Sequence, residues 1–161
     1  MTATRLSRRR VLHAGALGLL AAALGPAARA LAVPQAMQVL KDPACGCCEA
    51  WVEILRAAGF EIAVETLGPA ALMRRKIALG VPQAAVSCHT GLVEGYVVEG
   101  HVPAQDIRRL LAERPDAVGL AVPGMPWGSP GMGPETEREA FDVLLIGRDG
   151  GLSPWTRYPA A

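Results

Sequence analysis

Between "MQVLKD" and "CCEAWVEILRAAGF" the hydrophobic period of the chain changes from two to about 3.6, and Cys45, Cys47 and Cys48 sit at the change. A chain that hands a strand directly to a helix is committed to layers, with helices packed on a sheet. The handover falls at Asp42-Pro43, where a ladder cannot continue.

The pattern repeats downstream. The first helix should bury Trp51, Ile54, Leu55 and Ala58 and stop at Gly59. "EIAVETL" reads as a second strand, and "PAALMRRKIALG" as a second helix opened by Pro69 and closed by Gly80. "QAAVSCH" is then expected as a third strand, "GLVEGYVVEGH" as turn and strand, and "PAQDIRRLLAERP" as a helix burying Ile107, Leu110 and Leu111. The order β-α-β-α-β-β-α is that of a thioredoxin-like α/β fold, a central mixed sheet flanked by helices. "VPGMPWGSPGMGPE" is too rich in Gly and Pro for a regular element. "FDVLLIGRDGGLSPWTRYP" reads as a C-terminal hairpin turning at Asp149-Gly150, too small to fold alone.

Residues 1–30 are set apart from this pattern. Arg8, Arg9 and Arg10 precede an apolar run from Ala14 to Leu24 and a small-residue end at Ala28-Arg29-Ala30, as in an export signal. The run falls short of the roughly 20 residues that span a bilayer. The arginine pair in "SRRRVL" resembles a twin-arginine signal, an ordinary secretory signal or uncleaved anchor being the alternative. Cleavage fits Ala30 and Ala32 equally, and the mature chain is expected to be soluble, periplasmic and free of the membrane. It loses five of sixteen basic residues and none of fifteen acidic ones, which leaves a net charge of about −4. That balance argues against nucleic-acid binding. The mature residues, 31–161, suffice for a single domain.

Exported cysteines normally pair. Here Cys47 and Cys48 are adjacent, and a bridge among near neighbours closes a small ring that constrains little chain, so stapling is the weaker reading. Cys45 and Cys48 form a C-x-x-C at a helix start, where the helix dipole favours thiolates. That placement suits a redox dithiol and equally a metal site. Two features favour the metal. Cys47 would only compete for mixed disulfides in a redox pair, and Cys88, at the expected end of the third strand, brings a fourth sulfur to the same place. Pro82 sits roughly where thioredoxin-like folds often carry a cis-proline.

Softness then selects the ion. Cysteine with methionine suits copper(I), whereas cysteine with histidine alone is consistent with zinc. His89 and His101 are candidate ligands, each also readable as a hydrogen-bonded histidine. Met125 and Met132 are candidates because a Gly/Pro loop offers no apolar face for them to continue, although methionines usually fill core gaps. Trp51 reads as core, Trp127 as packing or a shield, and Glu49 and Glu53 as a solvated helix face. The sequence holds no evident Ser/His/Asp set or phosphate loop.

In order, "CGCCEAW", "GVP", "SCHTG", "GYVVEGHVP", "LLAERP" and "GLAVPGMPWGSPGM" resemble the bacterial DUF 411 family, which includes CopG-type copper-resistance proteins. The likeness runs from about Lys41 to Met132. It implies a periplasmic thioredoxin-like protein that binds several copper ions through a cysteine-rich centre, matched here by Cys45, Cys47, Cys48 and Cys88. One departure is Gly133 after "SPGM", where an acidic residue is expected; Glu135 follows two places later. Thiolates bridge copper(I) ions, so four cysteines suit a small cluster. The functions left standing are copper sequestration or delivery, with other periplasmic copper-handling proteins as partners; a thiol-disulfide oxidoreductase using Cys45 and Cys48; and a structural zinc site.

Overall fold

The alternating run around Val39 forms β1 (Gln35–Lys41), the first element in a computed structural model that describes residues 35–161. The expected export signal at residues 1–30 lies outside the described residues. After β1 come α1 (Gly46–Ala57), β2 (Phe60–Thr66), α2 (Pro69–Ala78), β3 (His89–Val93), β4 (Tyr96–Glu99) and α3 (Ala104–Glu113). This is the order read from the pattern, and the chain is an α/β protein. Then β5 (Ala117–Ala121), β6 (Phe141–Gly147) and β7 (Leu152–Tyr158) complete one mixed sheet in the order β2-β1-β3-β4-β5-β6-β7.

Helices cover both faces. α1 and α3 bury Trp51, Val52, Leu55, Ile107, Leu110 and Leu111 against Met37, Val39, Val98, Leu120 and Val143. On the opposite face Val81 and Ala85, from the segment after α2, meet Val97, Ala121 and Ile146. Val97 and Val98 thus serve different cores, as the period of a strand demands. Each fully buried aliphatic side chain contributes roughly 1.5–3 kcal/mol. Ile54, expected inside, is 41% exposed; the buried stripe of α1 runs through Cys48, Trp51, Val52 and Leu55 instead.

Directions fix where the chemistry falls. β3 runs antiparallel to β1, with Lys41 opposite His89, and β5 runs parallel to β4, with Glu99 opposite Ala121. The end of β1, the start of β3 and the ends of β4 and β5 therefore share one edge. Cys45, Cys47 and Cys48 follow β1, Cys88 precedes β3, His101 follows β4, and the Gly/Pro segment leaves from β5.

One expectation is corrected, and two points left open by the pattern are decided. "QAAVSCH" is not the third strand: Gln83–Ala85 form a short 3-10 turn after Pro82, and pairing to β1 begins only at His89. Cys88 thus stands at the start of a strand, and antiparallel pairing still delivers it to the expected edge. Pro82 is trans, since no peptide bond among the described residues is cis. Finally, "AVGLA" is a strand, β5, that the pattern did not reveal. A Cβ at Gly119 would lie 1.8 Å from the Val97 carbonyl oxygen, so this residue lets β5 approach β4.

Candidate metal centre

The sulfurs arrive from two directions. Asp42 shapes the entry, its Oδ1 accepting the Ala44 N–H at 2.8 Å and its carbonyl the Cys45 N–H at 3.2 Å. Cys45 is the N-cap of α1, so Cys47 and Cys48 lie in its first turn, at the positive end of the helix dipole. Across the edge, Cys88 comes in ahead of β3. The sulfurs of Cys45, Cys47, Cys48 and Cys88 all lie within 4.8 Å of one another. Cys48 is fully buried, and the other three are half-buried.

The bridge disfavoured from the sequence is present: Cys45 and Cys48 are disulfide-bonded, and Cys47 and Cys88 are free thiols. Its small ring says little about stapling, but it settles the chemistry of this state. Two of four sulfurs carry no charge and offer no thiolate until two electrons and two protons open the bond. The Cys47 sulfur lies 3.5 Å from that of Cys45.

Both candidate histidines converge on Cys88. Its sulfur is 3.2 Å from Nδ1 of His89 and 3.1 Å from Nε2 of His101, and the three donors form a second cluster within 4.8 Å. Nδ1 of His101 lies 2.8 Å from the Pro130 carbonyl, which can only accept a proton. The ring therefore carries its proton on Nδ1 and turns a lone pair on Nε2 toward Cys88. Metal-binding imidazoles are oriented by the same device. The His89 ring lies between Trp51, with centroids 4.3 Å apart, and His101, at 5.0 Å. Nε2 of His89 is buried and makes no well-formed hydrogen bond. Trp51 is core as expected and also a wall of the site, held by donation from Nε1 to the Val102 carbonyl at 2.9 Å.

Burial governs the proton affinities. It lowers His89 well below the ordinary histidine value, helped by the neighbouring His101, Lys76 and Lys41 and only partly opposed by the Gly100 carbonyl. Burial likewise lowers His101 against the pull of the Pro130 carbonyl. Both rings are thus neutral at pH 7. The Cys88 thiol is pushed up to about 12, first by burial and then by the charge and hydrogen bond of Cys47. A soft cation with affinity for sulfur and imidazole would displace that proton and find two neutral nitrogens beside it.

The methionines divide. Met125 is 53% exposed, while Met132 is half-buried in a turn whose neighbour Gly131 packs on α1. With φ at +86°, Gly131 is so close that a Cβ would stand 2.7 Å from the Trp51 nitrogen and 3.0 Å from the Cys47 carbonyl oxygen. Trp127 is 44% exposed, its ring against Gly133 and its Nε1 donating to Glu137. Glu135, the nearest acidic residue after "SPGM", is exposed and paired with Arg138.

The sequence reading missed the charges behind the sulfurs. Lys41 is buried and pairs at 2.8 Å with Glu49, which is exposed as expected. Lys76 and Glu99, both buried, pair at 2.5 Å. Charged residues at strand and helix positions otherwise facing inward are the only signal that could have found them. No helix among the described residues is long and apolar enough to cross a membrane.

The model of a family described as "Protein of unknown function, DUF411" matches residues 85–132, the arm running from before Cys88 to Met132. No curated protein matches the chain. Among solved structures, "Copper resistance protein copG- Form 2" is 46% identical with a TM-score of 0.72, covering 79% of this chain and 100% of its own. "Copper resistance protein copG- Form 1" is 44% identical with a TM-score of 0.73, covering 80% and 100%. Likeness at this level over the full length of both solved chains places the sequence among them: it belongs to the DUF411 family, with the copper resistance proteins copG.

Proposed function

We propose that this is a periplasmic copper-binding protein that holds copper(I) in its cysteine-rich centre and serves copper tolerance by sequestration or delivery. The observation that carries this reading is the convergence of four sulfurs within 4.8 Å, with His101 Nε2 aimed at one of them. The names of the two solved relatives, copper resistance proteins, support the choice of metal. Thiolates bridge copper(I), and each ion needs only two or three donors, so the set suits a multinuclear cluster better than a lone ion. Cys45, Cys47, Cys48 and Cys88 are its sulfur ligands, and His89, His101 and Met132 its flanking donors. Met125, the more exposed of the two methionines, is a further candidate. Residues 1–30 serve as a twin-arginine signal, and residues 31–161 form one thioredoxin-like domain that passes copper to, or takes it from, other periplasmic copper-handling proteins.

The test is copper(I) stoichiometry on protein first reduced and then freed of metal. Several equivalents per chain, mostly lost in Cys47→Ser and in Cys88→Ser, are expected. Full stoichiometry in both variants sinks the cluster, and zinc outcompeting copper(I) under reducing conditions replaces it with a structural zinc site.

A second reading is favoured by the Cys45–Cys48 disulfide. Opening it takes two electrons and two protons from a dithiol partner, so a thiol-disulfide oxidoreductase is compatible with the same residues. Turnover with a dithiol that survives Cys47→Ser and vanishes in Cys45→Ser would select it.

A further inference from the structure

Behind Cys88 and His89 lies a polar group that neither packing nor the donor set explains. Glu99, at the end of β4, is wholly buried. Its Oε1 accepts from Lys76 Nζ at 2.5 Å and from the Ser87 N–H at 2.8 Å, and its Oε2 accepts from the Thr90 hydroxyl at 2.7 Å. Lys76, on α2, also donates to the Thr90 oxygen at 2.9 Å, which closes a ring of three side chains.

Ser87 and Thr90 are the residues on either side of the Cys88-His89 pair. One carboxylate therefore grips that dipeptide from both ends. β3 begins only at His89, so the Ser87 N–H lies ahead of the β1–β3 ladder, and Glu99 supplies its acceptor. The same residue stands two positions before His101. Its own carbonyl accepts the Val122 N–H at 2.9 Å, where the loop carrying Pro130 departs, and the next residue, Gly100, donates to the His89 carbonyl at 3.0 Å. The Glu99 side chain thus holds the Cys88-His89 arm, while the backbone at Glu99 and Gly100 ties that arm and the start of the Pro130 loop to the end of β4.

Stability alone is a poor reason for such a pair. Replacing a buried ion pair with apolar side chains of similar volume is often neutral or stabilising. Apolar side chains, however, cannot hold a backbone N–H or orient a threonine. We propose that Glu99, with Lys76 as its countercharge, is the positioning residue that sets Cys88 and His89 against His101, an inference that rests on the reading of these three as ligands.

Two double variants separate positioning from packing. Lys76→Met with Glu99→Leu fills the space without the clamp. Lys76→Met with Glu99→Gln keeps an amide oxygen for the Ser87 N–H and an amide donor for Thr90, without charge. Copper(I) affinity is read by competition with a chromophoric chelator, and the rate of Cys88 alkylation is read on metal-free protein. The leucine variant should lose about 10–100-fold in affinity, and the glutamine variant should recover most of it. Native affinity and native Cys88 reactivity in the leucine variant would overturn the proposal. If the leucine variant does not fold, Thr90→Val removes one grip alone: weakened affinity supports the proposal, and unchanged affinity overturns it. If wild-type protein takes up no copper(I), the metal reading falls and alkylation decides: a Cys88 rate altered by leucine and restored by glutamine supports positioning, and an unaltered rate removes it.

Discussion

Nε2 of His101 lies 3.1 Å from the Cys88 sulfur, and the ring's one proton is committed on Nδ1 to Pro130. A bare imidazole nitrogen is thus presented to a thiol at the edge of a sheet. His101→Ala should weaken copper(I) retention by at least about tenfold, measured by chelator competition. Equal affinity in the two proteins would take His101 out of the donor set.

Cys88 should be slow to alkylate. With its thiol pushed up to about 12 by burial and by Cys47, its thiolate at pH 8 is scarcer than that of a free cysteine by a factor on the order of a thousand. Mass spectrometry of metal-free protein after timed iodoacetamide treatment measures this. Alkylation at the pace of an unstructured peptide cysteine would contradict the burial.

Acid should destabilise the metal-free protein from about pH 6.5 downward. Below that value an unfolded histidine binds a proton that buried His89 refuses, so the unfolded state holds more protons and stability rises with pH. The loss on acidification approaches about 1.4 kcal/mol per pH unit for His89, with a smaller share from His101. Burial raises Glu99 above the ordinary carboxylate range, and that contributes with opposite sign at lower pH, as the folded state takes the proton first. Urea unfolding between pH 5 and 8 gives the slope, and a flat profile would falsify it.

Gly131→Ala should cost about 1–3 kcal/mol, because the residue is left-handed and its new methyl meets the backbone of Trp51, which cannot step aside. Copper affinity should fall with it, since Pro130 would be lifted from His101. Gly46→Ala is the control: nothing lies within 4 Å of its Cβ, and stability should hardly change. Equal melting curves for the two variants would show that the loop does not bear on α1.

Much of this was legible before any coordinates. The 3.6-residue period gave Trp51, Leu55, Ile107, Leu110 and Leu111, and period two with turn residues gave β1 and the closing hairpin. The convergence of Cys88 on Cys45, Cys47 and Cys48 was expected, although Cys88 was set at the end of a strand and in fact precedes one that runs antiparallel to β1. β5 escaped because a five-residue run with two alanines and a central glycine carries little strand signal; its evidence is the empty space Gly119 leaves for Val97. The start of β3 was misplaced because register is set by pairing with β1, which the segment itself does not encode. Lys76 and Glu99 were missed since a charged side chain on an amphipathic element ordinarily faces water, and their burial is explained by their 2.5 Å contact and their bonds to Ser87 and Thr90. The disulfide was weighed as a staple and discounted, whereas its bearing is on the charge of the site.

The segment that carries Pro130 and Gly131 departs from β5 and returns to the sheet at β6, and the N–H of Ala161 closes on the carbonyl of Arg138. Translation delivers these parts in a fixed sequence. A nascent chain stalled before residue 141 already holds Cys45, Cys47, Cys48, Cys88 and His101, yet the strand that anchors the far end of the Pro130 loop has not been made. The tautomer of His101 is therefore not held until β6 has been made. The first three sulfurs of the site are made about ninety residues before the strand that fixes its carbonyl in place.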